Sequence, residues 1–149
     1  MDIQQDFKEL LELFNANKVE YVIVGAYALA LHGAPRSTGD IDILVGTDKI
    51  NAERILKALN EFGFGSLNLK VEDFTTPDNI IQLGVAPVRI DIITTITGVS
   101  TEDAFSGRIA DKYGDAPVYY LGLNEFIENK KALARKKDLA DIEALDKLD

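Results

Sequence analysis

Residues 40–45, with the sequence DIDILV, constrain the fold of this chain more than any other segment. Acidic and β-branched side chains alternate before the segment becomes wholly apolar, which predicts a β-strand with one face in the core. Because side chains alternate along a strand, Ile41 and Ile43 point into the core, and Asp40 and Asp42 share the other face. A D-x-D pair taken alone is more often a solvated strand edge or a turn than a metal site, so its meaning depends on its surroundings.

A second strand repeats this arrangement. In VRIDI, residues 88–92, the apolar side chains share one face, and Arg89 and Asp91 share the other. If the two strands are neighbours, the carboxylates of Asp40, Asp42 and Asp91 converge at one end of a sheet, where they repel one another unless cations are bound. Mg²⁺ prefers such oxygen ligands, and a pair of ions can clamp a phosphoryl displacement. Arg89 is either a charge-balancing partner of the acids or a contact to substrate.

Strands alternate with helices along the chain, which predicts α+β architecture, close to α/β, with a mixed β-sheet flanked by helices and with C-terminal helices. The predicted strands are 19–24, 40–45, NIIQLGV and VRIDIIT joined at residues 86–87, and a hairpin of RIADKYG and PVYYLG. The predicted helices are an opening helix, residues 26–33, DKINAERILKALNEFGF from its cap at Asp48 to Gly63, and a tail from Leu123 broken near Lys136. We expect one domain over 1–149, with a core at about 19–95 and a helical C-terminal part at about 122–148.

Composition excludes several classes of protein. The chain has no cysteine, hence neither disulfides nor a thiolate site, and no apolar run approaches the roughly 20 residues of a membrane helix. The acidic, amphipathic N-terminus is unlike a secretory signal, so we expect a cytoplasmic protein. The net charge of −9 argues against a broad DNA- or RNA-binding surface. It leaves open a small phosphate ligand whose charge a metal offsets.

A glycine follows the first predicted strand. Gly25 permits a tight turn and a close approach of ligand to the backbone, and the free N–H groups of the next helix attract anions. Most glycines in such places only make a turn. Gly25 lies 15 residues before Asp40, a spacing that fits one helix and a return strand, so a phosphate cradle and the carboxylates would face one crevice.

Together these segments resemble the nucleotidyltransferase fold of the polymerase β type. The run VIVGAYALALHGAPRSTGDIDILV followed by VRIDIIT has that superfamily's strand ending in Gly, its acidic-x-acidic strand and its third acidic residue. The chain is similar to small bacterial and archaeal members and to abortive-infection toxin nucleotidyltransferases, which show an H-G-x-x-R-x-T-x-D-x-D run. The residues that match this run are His32, Gly33, Arg36, Thr38, Asp40 and Asp42. The tail EFIENKKALARKKDLADIEAL resembles their closing helices, so the resemblance covers about residues 19–148.

The resemblance implies an enzyme that transfers a nucleoside monophosphate from an NTP to a hydroxyl of an RNA, a protein or a small molecule. Asp40, Asp42 and Asp91 would be catalytic and would hold Mg²⁺ or Mn²⁺, as two ions. The residues that would bind the nucleotide are Gly25, Ala26, Arg36, Thr38, Lys130 and Lys137. On an unbroken tail helix, Lys130, Lys137 and Asp141 would share one stripe, which could equally be a solvated face.

Single residues keep alternative interpretations. Arg36 could bind phosphate or pair with a carboxylate, and Thr38 is expected to order its loop. His32, before Gly33, is interpreted as a cap or packing residue, and Tyr27 could line the crevice.

Departures from the family pattern keep other functions open. Ala26 stands where Gly or Ser is usual, and no separate acceptor domain is expected, so C-terminal helices, a second subunit or a partner protein would hold the acceptor. One alternative is a non-catalytic nucleotide-binding regulator, or an interaction protein of a toxin–antitoxin-like pair. A carboxylate-pair glycosidase is disfavoured, because two Asp side chains on one strand face cannot flank a bond and the chain has no Trp to stack sugars.

Overall fold

A computed structural model of the chain describes residues 3–34, 39–85 and 88–147. Within these ranges lie six strands and seven α-helices. The strands are β1 (Tyr21–Val24), β2 (Asp40–Val45), β3 (Ile80–Val85), β4 (Val88–Ile93), β5 (Ile109–Tyr113) and β6 (Ala116–Tyr120). The helices are α1 (Gln5–Ala16), α2 (Gly25–Leu31), α3 (Lys49–Phe62), α4 (Val71–Thr75), α5 (Thr101–Ser106), α6 (Leu123–Leu133) and α7 (Lys136–Asp146).

All six strands form one mixed sheet in the order β3-β4-β2-β1-β6-β5. Strand β2 lies at its centre, antiparallel to β1 and parallel to β4. Hairpins at the two edges, β3-β4 and β5-β6, extend the sheet, and β6 runs parallel to β1. The predicted α+β architecture and the predicted neighbourhood of β1, β2 and β4 are confirmed.

Alternation along β2 distributes its side chains as the sequence predicts. Ile41 and Ile43 are fully buried in a core that α1 and α3 cover. On the other face, Leu44 packs in a smaller core with Val24 and with Phe126 of α6. Asp42 precedes Leu44 by two residues and therefore lies on this second face. The acidic pair thus sits where the C-terminal helices cover the sheet.

Helix α3 has the predicted ends. The Asp48 carboxylate accepts a hydrogen bond from the Asn51 backbone N–H at 2.8 Å, which is an N-cap, and Gly63 ends the helix with φ 109°. The short helices α4 and α5 were not predicted, because five or six residues do not complete a helical repeat that the pattern could reveal.

The C-terminal tail breaks at Ala134, which has φ 53°. The Asp138 carboxylate accepts the backbone N–H of Arg135 at 3.1 Å and so starts a new helix after the break. Lys130 therefore belongs to α6 and Lys137 to α7, and the stripe expected for an unbroken helix does not form. No helix in the described ranges has the length and apolar character needed to span a membrane.

Candidate active site

A cleft of about 280 Å³ opens where β1, β2 and β4 meet the C-terminal helices. Its lining is formed by Val24, Gly25, Asp42, Ile80, Gln82, Asp91, Ile93, Thr95, Ile96, Thr97, Asn129, Lys130, Leu133 and Arg135. A larger cleft of about 400 Å³ lies at the other end of β1, against Tyr21, Arg108 and Tyr119. The smaller cleft is the candidate site, because it contains carboxylates paired across neighbouring strands.

Asp42 and Asp91 are direct partners in the parallel ladder of β2 and β4. Their side chains therefore point to the same face of the sheet, as predicted. Burial, together with the nearby charges of Asp91 and Asp40, raises the pKa of the Asp42 carboxyl to about 6. Two carboxyl groups this close cannot both ionise easily, so the pair attracts a proton or a cation.

Arg89 lies between the remaining carboxylates. Its Nε donates a hydrogen bond to Asp91 Oδ1 at 3.0 Å, and its Nη2 donates to Asp91 Oδ2 at 3.2 Å and to Asp40 Oδ2 at 2.8 Å. Of the two roles that the sequence left open for Arg89, these contacts are those of a charge-balancing partner. We call Asp40, Asp42, Arg89 and Asp91 the sheet cluster.

Only some of the carboxylates of the sheet cluster are suited to bind a metal ion. In the described segments, no group of three or more His, Cys, Asp or Glu side chains is arranged to hold a metal. The physical reason is visible in the contacts of Arg89, whose guanidinium already binds Asp40 and both oxygens of Asp91. Asp42, with its raised pKa, and the edge of Asp91 that faces the cleft are oxygen donors suited to one hard divalent cation.

Gly25 closes the cleft beside Asp42. Its φ is 69°, and a Cβ at this position would collide with Asp42 Oδ2. Both observations require glycine here. Ala26 follows in α2 and is buried, so the backbone turn at Gly25, rather than a side chain of residue 26, faces the cleft.

A second group of charges lies where α6 meets α7. Lys130 Nζ is 3.3 Å from Asp138 Oδ1 and 3.6 Å from Asp141 Oδ2, and Arg135 Nε donates to Asp138 Oδ2 at 2.6 Å. Burial opposes ionisation of Asp138, but its bonds from Arg135 and Lys130 prevail and lower its pKa to about 2. We call Lys130, Arg135, Asp138 and Asp141 the helix cluster.

The structure brings some of the candidate residues together and separates others. Asp42, Asp91, Gly25 and Lys130 line the cleft, whereas Lys137 is exposed on α7 and lies outside the lining. Lys137 lies on α7, beyond the break at Ala134 that ends α6.

Of four other candidate residues, two lie within the described part of the chain. Tyr27 does not line the crevice, because its ring packs in the core against Phe7 and Tyr113 at centroid distances of 5.9 and 5.8 Å. The His32 imidazole is hydrogen-bonded through Nε2 to the Leu121 backbone oxygen at 2.9 Å, a structural contact. Arg36 and Thr38 lie outside the described residues.

Arg135 and Asn129 are among the polar residues of the cleft that sequence reasoning missed. Arg135 could have been found from its position three residues before Asp138, the spacing of a capping box at a helix start. Asn129 gave no such signal, because it reaches the cleft through a bond from its Nδ2 to the backbone oxygen of Thr97, far away in sequence.

Comparison with known proteins identifies the fold and the family. The structure is similar to a candidate nucleotidyltransferase from Thermotoga maritima, with 18% identity, a TM-score of 0.57 and coverage of 95% of this chain and 89% of that one. It is similar to a lincosamide antibiotic adenylyltransferase bound to lincomycin, with 16% identity, a TM-score of 0.60 and 98% of each chain covered. It is also similar to an antigenic nucleotidyltransferase-like protein from Paracoccidioides brasiliensis, with 15% identity, a TM-score of 0.57 and coverage of 96% and 75%.

At these identities the structural matches establish the fold alone, which is that of nucleotidyltransferases. Among curated proteins, none matches the sequence significantly. Residues 1–148 match the family described as nucleotidyltransferase of unknown function (DUF6036). The chain therefore belongs to that family, as its acidic strands and nucleotidyltransferase fold indicate.

Proposed function

We propose that the protein transfers a nucleoside monophosphate from an NTP to a hydroxyl acceptor, with a divalent metal ion such as Mg²⁺ or Mn²⁺. The observation that carries the proposal is the direct pairing of Asp42 with Asp91 at a cleft that also contains Gly25 and Lys130. Family membership supports nucleotidyl transfer in general. The metal requirement and the kind of acceptor are our inference from the chemistry of the cleft.

Each residue of the cleft has a role in this proposal. A divalent cation bound by Asp42 and Asp91 would offset the charge of the triphosphate and polarise its phosphoryl oxygens. The backbone at Gly25 lets the triphosphate approach closely, because no Cβ stands in the way. Lys130 supplies positive charge at the floor of the cleft, where Asp138 and Asp141 fix its position.

The reaction requires an acceptor oxygen to attack the α-phosphorus. An oxygen–phosphorus bond forms, the bond from the α-phosphorus to the bridging oxygen breaks, and pyrophosphate leaves. Asp91 would orient the hydroxyl and accept its proton.

A labelling experiment tests this proposal. The full chain is incubated with each of the four NTPs, labelled at the α-phosphate, with Mg²⁺ or Mn²⁺ and with RNA, protein and small-molecule fractions of a cell extract. We expect one fraction to become labelled with wild type and not with Asp42→Asn. Asp111→Asn, which makes the same chemical change on exposed strand β5, is the matched control and should keep activity.

A second candidate function has one observation in its favour. Arg89 binds two of the three carboxylates, an arrangement that a nucleotide-binding regulator without catalysis would tolerate. Wild-type protein that binds NTP with metal but labels no fraction would support this regulator. Protein that binds neither NTP nor metal would contradict both functions.

A further inference from the structure

We propose that Arg89 takes the place of one of the two cations expected at a nucleotidyltransferase site, so that the cleft binds a single divalent ion beside Asp42. This inference rests on the proposed function, because it concerns the ions that accompany the nucleotide. It replaces the two ions that the sequence resemblance implies with one ion and one guanidinium.

The contacts of Arg89 are those of a bound cation. Its guanidinium bridges Asp40 and Asp91, with three hydrogen bonds between 2.8 and 3.2 Å. Asp91 is engaged at both oxygens, and its side chain is only 10% exposed. A second metal at Asp40 and Asp91 would have to displace a bidentate, charge-assisted pair.

The register of the sheet places Arg89 there. Arg89 is the direct partner of Asp40 across the parallel ladder, and Asp91 is two residues further along the same strand and on the same face. The Arg89 guanidinium therefore lies close enough to bind both Asp40 and Asp91. Because an Arg side chain stays protonated at any ordinary pH, it is a permanent cation at this position.

The charges of the sheet cluster leave one place for a metal. Ion pairs within the described residues connect Arg89 to Asp40 and to Asp91, and none connects a Lys or Arg to Asp42. Asp42 also faces the cleft, next to Gly25, where a nucleotide would bring its phosphate oxygens. Mg²⁺ and Mn²⁺ suit such a position, with one or two carboxylates and the rest of the ligands from phosphate and water.

The experiment measures how many Mn²⁺ ions each protein–nucleotide complex binds. The full chain is saturated with a non-hydrolysable ATP analogue, and bound Mn²⁺ is measured by electron paramagnetic resonance across a titration. We expect one Mn²⁺ per complex for wild type and two for Arg89→Met, which has a similar length and no charge. Arg108→Met, which removes an arginine near Tyr119 in the other cleft, is the matched control and should bind one.

Two results would overturn the inference. One is two Mn²⁺ ions in the wild-type complex, which would mean that Arg89 yields to metal. The other is a single ion in both wild type and Arg89→Met. A wild-type protein that binds neither Mn²⁺ nor the analogue would instead refute the proposed function, so the two failures are distinguishable.

A second variant tests the inference if Arg89→Met does not fold. If circular dichroism shows that Arg89→Met is unfolded, Arg89→Lys carries the test, because an ammonium cannot bind two carboxylates as a planar fork does. We then expect Mn²⁺ alone to bind Arg89→Lys about tenfold more tightly than wild type. Unchanged affinity would overturn the inference.

Discussion

The sheet cluster and the helix cluster differ in their balance of negative and positive charge. Within the described residues, the sheet cluster sets three carboxylates against the guanidinium of Arg89, and the pKa of Asp42 rises to about 6 because of burial and its acidic neighbours. The helix cluster sets two carboxylates against two cations, and the pKa of Asp138 falls to about 2. Both clusters contribute residues to the lining of one cleft, so the difference teaches that buried charge alone does not mark function. A charge deficit that a ligand can correct is the informative feature.

The largest expected effect concerns the balanced cluster. Asp138→Asn removes the partner shared by Lys130 and Arg135 and leaves buried positive charge only partly compensated, so we expect a loss of about 3–5 kcal/mol in the free energy of unfolding. Urea denaturation at pH 7 measures it. Since the pKa of Asp138 is lowered from 3.8 to about 2, the part of its stabilisation that depends on the ionised carboxylate is present above about pH 4 and is lost as the pH falls toward 2.

The matched control lies on the same helix. Glu143→Gln removes an exposed partner of Lys147 at 3.5 Å and should change stability little. If Asp138→Asn lowers the free energy of unfolding no more than this control does, the helix cluster does not stabilise the fold. The contrast drawn between the two clusters would then be wrong.

The second effect concerns the turn at the sheet cluster. Gly25→Ala places an L side chain at φ 69° and pushes a methyl group into the Asp42 carboxylate. We expect a loss of about 2 kcal/mol in the free energy of unfolding and weaker Mn²⁺ binding. Gly63→Ala is a sharp control, because Gly63 also has positive φ but a Cβ there would meet nothing within 4 Å.

The two glycine variants separate backbone strain from the collision. Both should lose stability, since both force alanine into the left-handed region. Only Gly25→Ala should lose Mn²⁺ affinity, measured by calorimetry. Equal affinities in the two variants would mean that Asp42 does not bind the ion.

The smallest effect concerns the charge deficit itself. Because the folded pKa of Asp42 is raised from 3.8 to about 6, folding favours its protonated form, and stability is lost as the pH rises from about 4 through 6. Asp42→Asn removes this loss. Without metal, it should therefore stabilise the protein by about 1–2 kcal/mol at pH 7.5 and give no such gain at pH 4.

Denaturation at the two pH values checks this sign. Asp111→Asn, on the exposed face of β5, should show the same small difference at both. A destabilising Asp42→Asn at pH 7.5 without metal would mean that Asp42 is not repelled by its neighbours.

The sheet cluster could be predicted from the sequence, because the strand period of two fixes which side chains share a face. Asp42 and Asp91 meet as expected, since β2 and β4 each alternate and pair in parallel. Whether Arg89 balanced the acids or contacted substrate stayed open, because that depends on the register between strands distant in sequence. That register joins Asp40 to Arg89 and settles the side-chain partner.

The helix cluster could not be predicted in the same way. The seven-residue spacing of Lys130 and Lys137 indicates one face only if the helix is continuous, and the left-handed Ala134 interrupts it. The sequence predicts a break near Lys136, and the break lies at Ala134, close to that position. Alanine is a strong helix former, so its own propensity does not mark where the break falls. Arg135 thereby comes to the cleft in place of Lys137, through its hydrogen bonds to the buried Asp138.

One measurement tests the central claim, that the charge deficit of the sheet cluster is a cation site. Thermal unfolding of wild type and Asp42→Asn is followed at pH 7.5, first with EDTA and then with increasing Mn²⁺. We predict that Asp42→Asn has the higher Tm in EDTA, and that saturating Mn²⁺ raises the Tm of wild type above that of the variant, because the ion binds the folded carboxylates. An equal rise in both proteins, or no rise in wild type, would contradict the claim.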